Sequence, residues 1–410
     1  MRLSGDTFEA KGESSKPHGH ADSTASVSAR EYLLDVSRLI WRFWSGRLPT
    51  GIDRVCLEYV ARFGPRSQAV VQFKGLSFVL SAADSDRLFA LMTQGQTGLR
   101  RQLLGILFPG ILRAGRFPPR RGMLFLNVGH TGLHQPSLPA WVARTGVRAV
   151  YFIHDVIPIT HPQFCRPGEA AKHRLRMRNA LASAAGIVCN SQATCEELGA
   201  FASELGLPMP PNVTAWISGP RLPEQVTPKR LGRPHFVTVG TIEGRKNHIL
   251  LLQVWRSLVA DMGNQAPILV IVGQRGWEAE AAQATLDEPQ ELAGHVLELG
   301  RCGDQELAGW LLGARALLMP SFVEGFGLPV IEALQLGTPA IASDLPVYRE
   351  IVGDVPTYLD PLDQSGWERA IRDYMGESAE RARQVRAMQG YRPPDWQRHF
   401  ARVEDWLRRL

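Results

Sequence analysis

From Tyr32 onward the chain sets short apolar runs against longer stretches of mixed polarity. "YLLDV", "AVVQFKG", "GMLFLNVG", "VRAVYFIHD", "GIVCNS" and "NVTAWISG" have the length and the Val, Ile and Phe content of strands, and the stretches between them have helical spacing. Near-continuous apolar strands separated by helices predict a mainly parallel sheet covered on both faces. This first unit spans residues 30–219. The Pro- and charge-rich run "PRLPEQVTPKRLGRP", residues 220–234, breaks the pattern and predicts a linker. A second series, "HFVTVG", "PILVIVG", "HVLELG", "ALLMPS" and "PAIASD", predicts another α/β domain over residues 235–390. In the closing segment, residues 391–410, Trp396, Phe400, Val403, Trp406 and Leu407 recur at helical spacing. Such a helix needs an apolar groove, either on the second domain or by returning to the first. Residues 1–29 lack the apolar core of a signal peptide and read as a disordered tail, in which His18 and His20 alone do not make a metal site.

Two α/β domains enclose a cleft at the carboxyl ends of their parallel strands, where loops and helix N-termini converge. A chain of 410 residues and 45.4 kDa has room for both. The formal charge of +6 rests almost entirely on arginine, whose planar fork suits phosphate. Sugar nucleotides, phospholipid headgroups and nucleic acid are therefore the partners to weigh. No helix-turn-helix, zinc finger, RNP pattern or aromatic stacking series accompanies the charge, so nucleic acid is not expected. Five cysteines without a C-x-x-C pair predict reduced thiols in the cytoplasm and no structural zinc. No apolar stretch reaches the roughly 20 residues needed to cross a bilayer. Residues 99–122, "LRRQLLGILFPGILRAGRFPPRRG", flank an apolar middle with arginine, which suits either an anionic membrane surface or a helix packed on the first domain.

The second domain carries the chemistry. In "HFVTVGTIEGRKNHILLLQVW" a strand turns at Gly240 and a helix begins near Asn247, with Arg245 and Lys246 at the strand's carboxyl end. Two cations beside helix N–H groups suit a diphosphate. In "ALLMPSFVEGFGLPVIEAL" a loop after the buried strand delivers Glu324, and Gly325 and Gly327 leave room for a ligand to approach the backbone of Phe326 and Leu328. Pro329 suits a first helical turn, which puts Glu332 about one turn inside. Carboxylates for hydroxyls on one side and positive dipoles for phosphate on the other fit a sugar nucleotide. Glu324 then faces sugar hydroxyls and Glu332 the ribose.

"VGTIEGRKN" followed by "PSFVEGFGLPVIEALQLGTPAIASDLPVYREIVGD" resembles the retaining GT-B glycosyltransferases of family GT4, whose E-x7-E pair matches Glu324 and Glu332. The resemblance covers nearly all of residues 232–375, including "RCGDQELAGWLLGARALLMP", where the family has a loop framing the nucleobase. It implies a GT-B fold of two Rossmann-like domains facing a cleft, a nucleotide-diphosphate sugar as donor, and Arg245 and Lys246 on its diphosphate. One departure is Gly244, where many relatives have proline. Over the first domain the resemblance is weaker, in "DVSRLIWRFWSGRLPTGIDRVCLEYV" and "YFIHDVIPITHPQF"; the first is similar to the opening of bacterial enzymes that build surface polysaccharides. It carries over a role beside the donor sugar to His154, and places Gly51, after Thr50, in a loop facing the diphosphate. Arg54 and Asp155 are the candidates for the acceptor side, and Asn190 and Ser191 for the lining.

The implied activity is metal-independent transfer, with retention, of an α-linked hexose or deoxyhexose to a lipid-linked or growing surface glycan. The acceptor would be carried on a polyprenyl diphosphate at the inner face of the plasma membrane. The D-x-D carboxylate pattern typical of metal-dependent GT-A transferases is expected to be missing from the chain, and no cofactor is required. A soluble sugar synthase or phosphorylase, and a sugar-nucleotide-binding protein without turnover, stay open. The donor is unresolved among GDP-mannose, dTDP-rhamnose and UDP-hexoses.

Overall fold

The computed structural model describes residues 30–46, 51–94, 99–219, 222–223 and 225–410. The tail expected over 1–29, Thr50 and part of the linker lie outside the described residues.

Tyr32–Asp35 (β1), Ser67–Phe73 (β2), Leu76–Val79 (β3), Leu124–Asn127 (β4), Arg148–Ile153 (β5), Ala184–Cys189 (β6) and Asn212–Thr214 (β7) form one sheet in the order β3-β2-β1-β4-β5-β6-β7. All neighbours are parallel except β2 and β3, which form a hairpin through Lys74 and Gly75, both at positive φ. β3 is not anticipated by the hydrophobic pattern. It is a half-exposed edge strand of four residues, with little apolar burial to register.

His235–Val239 (β8), Ile268–Val272 (β9), Val296–Gly300 (β10), Leu317–Met319 (β11), Ala340–Ser343 (β12) and Thr357–Leu359 (β13) form a second, wholly parallel sheet in the order β10-β9-β8-β11-β12-β13. The three-residue edge strand β13 is likewise absent from the sequence reading. In each sheet the strand order reverses beside the first strand, so a crevice opens at the carboxyl ends of β1/β4 and of β8/β11. The two crevices face each other.

The apolar faces bury as the alternation of strands and helices requires. One cluster, containing Leu34, Tyr59, Val237, Leu334 and Phe400, is continuous through both domains, and a further cluster fills the opposite side of each sheet. Trp396–Arg409 returns to the first domain. Its Phe400 packs on Tyr59 and Phe63 with ring centroids 5.3 and 5.8 Å apart, His399 Nε2 lies 2.9 Å from the Tyr59 hydroxyl, and Glu404 takes ion pairs from Arg62 and Arg66 at 2.7 and 2.5 Å.

Residues Leu99–Arg113 form a helix with Pro109 inside it. Leu103 is buried, whereas Leu104, Phe108 and Leu112, spaced four apart along one ridge, face outward; Trp41 and Trp44 of the helix Ser37–Trp44 are exposed as well. Among the described residues no helix is long and apolar enough to cross a membrane.

Candidate active site

A cleft of about 800 Å³ opens between the domains, lined on one side by Gly51, Arg54, His154, Asp155 and Asn190 and on the other by Gly240, Arg245, Lys246, Glu324–Leu328 and Glu332. Segments nearly 280 residues apart meet there.

After β8 the chain turns at Gly240, φ +144°, and the Lys246 side chain crosses so close that a Cβ at Gly240 would lie 3.1 Å from its Cε. Gly244–Lys246 makes one 3-10 turn, and Asn247, φ +55°, opens the helix His248–Met262. Gly244, the departure from the family pattern, has a physical account. Its N–H donates to Trp277 O at 3.1 Å, a bond proline lacks, and a Cβ there would lie 2.4 Å from Glu278 O.

Glu324 is the hub of the second-domain site. Its Oε1 lies 2.5 Å from Lys246 Nζ and accepts from Ser321 Oγ at 2.7 Å, and its Oε2 lies 2.9 Å from Arg245 Nη1. Arg245 is held from behind as well, with Nε 2.6 Å from Glu243 Oε1 and Nη1 donating to Val323 O at 3.2 Å. Burial pushes the Glu324 carboxyl up, but Lys246, Arg245 and the hydrogen bonds outweigh it and bring it down to about 2. Burial in turn lowers Lys246, against the pull of Glu324. The cluster is thus a desolvated ion triad whose cations line an open cleft.

The loop after Glu324 is shaped by close approach. Gly327 has φ +94°, and a Cβ there would come within 2.3 Å of the Tyr348 ring. It caps the helix Leu328–Gln335, in which Pro329 occupies the first turn and Glu332 follows one turn later. Glu332 is buried and, among the described residues, no group hydrogen-bonds its carboxylate. Burial pushes it up to about 7, with Arg54 pulling down and Asp304 pushing up. The two glutamates therefore differ sharply: one is ionised and paired, the other has no hydrogen-bonded partner among the described residues and is raised toward neutrality.

The first domain meets this loop through the turn after β5. Asn190 Nδ2 donates to His154 O at 2.7 Å and to Gly325 O at 3.2 Å, tying the two domains at the floor of the cleft. His154 lies 2.8 Å from Val128 O through Nε2; a carbonyl only accepts, so Nε2 carries the proton and Nδ1 is left as an acceptor. Burial lowers this imidazole to about 4, so it is neutral. Asp155 packs against Gly325, and its Oδ1 accepts from Ile157 N at 3.2 Å, a loop-shaping bond. Gly51 starts the helix Gly51–Phe63 next to Leu328, and Arg54 pairs across the cleft with Asp304 at 2.6 Å.

Several members of the site are invisible in the motifs. Glu243 and Ser321 flank Arg245 and Glu324 in sequence, but which neighbour turns inward depends on local backbone geometry. Phe164 of the first domain stacks on Phe322 of the second, centroids 5.3 Å apart and rings 5° from parallel, while Trp277 Nε1 donates to Phe164 O at 3.0 Å. No single-chain periodicity encodes such a bridge. The chain also contains a D-x-D triplet, Asp84-Ser85-Asp86, which corrects the expectation that the pattern is missing. Its carboxylates lie outside the cleft lining and pair with Arg87 and Arg113 and with Arg30. Among the described residues no group of three His, Cys, Asp or Glu side chains is placed to hold a metal ion.

Residues 223–389 match the family model of glycosyl transferases group 1. The serotype-specific mannosyltransferase WbdA of Escherichia coli is 26% identical over 246 residues, 56% of this chain and 30% of WbdA, so the chain spans about a third of that relative's length. The O-antigen chain mannosyltransferase B of Escherichia coli is 27% identical over 339 residues, 77% of this chain and 84% of the relative. The crystal structure of HepE from Anabaena in complex with UDP and glucose superposes with a TM-score of 0.61 over 93% of this chain and all of HepE, at 16% identity, a likeness of fold. The chain has a GT-B fold, its residues 223–389 match the glycosyl transferases group 1 model, and bacterial surface-polysaccharide mannosyltransferases are among the proteins it is similar to.

Proposed function

We propose that this protein is a retaining glycosyltransferase that moves an α-linked hexose or deoxyhexose from a nucleotide-diphosphate sugar to a lipid-linked or growing surface glycan. The observation that carries the reading is the Arg245–Lys246–Glu324 triad, open to the cleft, with the buried Glu332 further along the same wall. A diphosphate takes the two cations, which frees Glu324 to accept sugar hydroxyls. Glu332 in its ionised form accepts from the two ribose hydroxyls, and the backbone of Gly325, Phe326, Gly327 and Leu328 meets the phosphates. The UDP held by HepE and the mannosyltransferase relatives support this donor class and put GDP-mannose first among the donors to try.

Catalysis follows from charge. Arg245, Lys246 and the N-terminus of Leu328–Gln335 stabilise the negative charge that develops on the departing diphosphate. The acceptor oxygen bonds to the anomeric carbon on the face that the phosphate leaves, and its proton passes to the leaving phosphate oxygen. Configuration is retained, and neither a metal nor a protein base is needed. His154, neutral and with Nδ1 free to accept, orients a sugar hydroxyl, while Asp155 and Arg54 border the acceptor side.

A lipid-linked acceptor suits the first domain. The ridge of Leu104, Phe108 and Leu112 is 53%, 69% and 71% exposed, and Arg100, Arg101, Arg116 and Arg121 are exposed around it. Arg100 reaches Gly46 at the end of the neighbouring helix Ser37–Trp44. Apolar side chains entering the acyl boundary with arginines on anionic headgroups would seat the enzyme at the inner face of the plasma membrane.

The test is a panel of GDP-, UDP- and dTDP-sugars with purified protein, reading released nucleoside diphosphate with and without a membrane glycolipid extract. Extract-dependent release from one donor, lost in Glu324→Ala, is expected. Release that needs only a soluble sugar acceptor would replace the lipid-linked reading with a soluble synthase, and failure to bind every donor would overturn the proposal.

A further inference from the structure

The first four N–H groups of a helix have no partner inside it and must find one elsewhere. In the first-domain helix Gln192–Glu204 two of them are satisfied locally: Thr194 N donates to Ser191 Oγ at 3.1 Å and Cys195 N to Ser191 O at 3.2 Å. The other two are satisfied by the second domain. Gln192 N donates to Glu350 Oε1 at 2.7 Å and Ala193 N to Glu350 Oε2 at 3.0 Å, and the Trp216 indole N–H donates to the same Oε1 at 2.6 Å. A carboxylate fits here twice over, since it meets the positive end of the helix and accepts through both oxygens.

We propose that Glu350 is a positioning residue that sets the angle at which the two domains meet, and with it the register of the first-domain wall against the Glu324 loop. The residue sits on the helix Pro346–Val352, whose Tyr348 ring also braces Gly327. The helix it caps begins just after Asn190, which bonds Gly325 O. One short helix thus holds the donor loop by one side chain and the opposing domain by another. Other contacts across the cleft are single bonds or exposed: Asn190 Nδ2 on Gly325 O, the Trp277 indole on Phe164 O, the Phe164–Phe322 stack and the Arg54–Asp304 pair. Loss of the Glu350 cap leaves the domains joined by these, by the apolar cluster they share and by the terminal helix, so the helix Gln192–Glu204 is no longer fixed against the donor loop and the two walls misalign, while the donor's own contacts within the second domain stay intact.

The test compares Glu350→Ala, Glu350→Asp and Trp216→Phe in the full chain by amide hydrogen exchange and small-angle scattering, neither of which needs a substrate, and by donor kinetics. Glu350→Ala is expected to speed exchange at Gln192 and Ala193 by about tenfold or more and to enlarge the radius of gyration. Its kcat should fall by roughly tenfold to a hundredfold with the donor KM within about twofold, the pattern of misplacement rather than lost binding. Glu350→Asp should recover part of kcat, and Trp216→Phe should shift exchange in the same direction but less. If Glu350→Ala does not fold, the two milder variants decide by the same readouts. Unchanged exchange and scattering overturn the proposal, as does faster exchange with intact kcat, which would leave a cap of no consequence for the site. Should the wild type transfer no sugar, the transferase reading fails by itself, and exchange and scattering still decide the role of Glu350 in the domain angle.

Discussion

Lys246 Nζ lies 2.5 Å from Glu324 Oε1, joining a loop that follows β8 to one that follows β11, and both side chains are more than nine-tenths buried. Two adjacent strands of one sheet thereby end in opposite charges that satisfy each other until a ligand arrives. A donor has to exchange this pairing for its own, so the resting site stores its charges rather than exposing them.

Removing Glu324 should therefore leave the buried Lys246 without its ion pair and Arg245 with Glu243 alone. Breaking a buried pair costs about 3–5 kcal/mol, so Glu324→Ala is expected to melt well below the wild type. Nucleoside diphosphate should restore more stability to the variant than to the wild type, because the phosphate replaces the missing carboxylate. Thermal melts with and without GDP or UDP check this; equal stabilisation of both proteins would contradict it. The acid limb has a related sign. A carboxyl depressed to about 2 contributes stability that is present above its ordinary value near 4.5 and lost as pH falls through 2.

Glu332 has the opposite linkage. Its carboxyl is raised from 4.5 to about 7, so the folded protein holds a proton that the unfolded chain has released. Stability is expected to fall as pH rises from about 4.5 to 7, by roughly 3 kcal/mol at most, and to level off above 7. In the proposed function the ionised form accepts the two ribose hydroxyls, so donor affinity should rise over the same interval and flatten above it. Glu332→Gln should weaken donor binding and abolish its pH dependence. Titration calorimetry in buffers of different ionisation enthalpy reads the released proton directly.

Gly327→Ala tests the shape of the donor loop. Alanine at φ +94° is strained by about 1–3 kcal/mol, and its Cβ would collide with the Tyr348 ring, 2.3 Å away. The loop has to shift, carrying Glu324 and the start of Leu328–Gln335 with it. Donor turnover is expected to drop by at least about a hundredfold, with a smaller loss of thermal stability. Near-normal kcat would show that the loop position does not matter to the chemistry.

The exposed ridge predicts salt-sensitive binding to anionic vesicles. Phe108→Asp with Leu112→Asp should abolish co-sedimentation with phosphatidylglycerol vesicles while leaving the melting temperature near the wild-type value, because both side chains already face water. Replacing Arg100 and Arg101 should weaken binding most at low salt. Vesicle binding that persists in the apolar double variant would move the contact elsewhere.

What the amino-acid sequence determined by itself is the framework and the chemistry of one wall. Strands buried on both faces are written as continuous apolar runs, so the interior strands were legible, as were the edges β7 and β10, which lie in apolar runs of their own; the two that escaped, β3 and β13, are short edges with few buried residues. Arg245, Lys246, Glu324 and Glu332 were legible because each lies in a compact motif at a strand end, where spacing constrains position. The terminal helix was legible as amphipathic but not as to its partner, since an apolar stripe states that it needs a groove and not which one. Only the tertiary structure decided that Lys246 and Arg245 rest on Glu324, that Glu332 is buried with its carboxyl raised, that Phe164 stacks on Phe322, and that Glu350 caps a helix of the other domain. These relations join residues from about 80 to almost 160 positions apart. Local patterning reports which way a side chain faces along its own element, whereas pairing and pKa depend on what another element brings within 3 Å, and that is settled by packing.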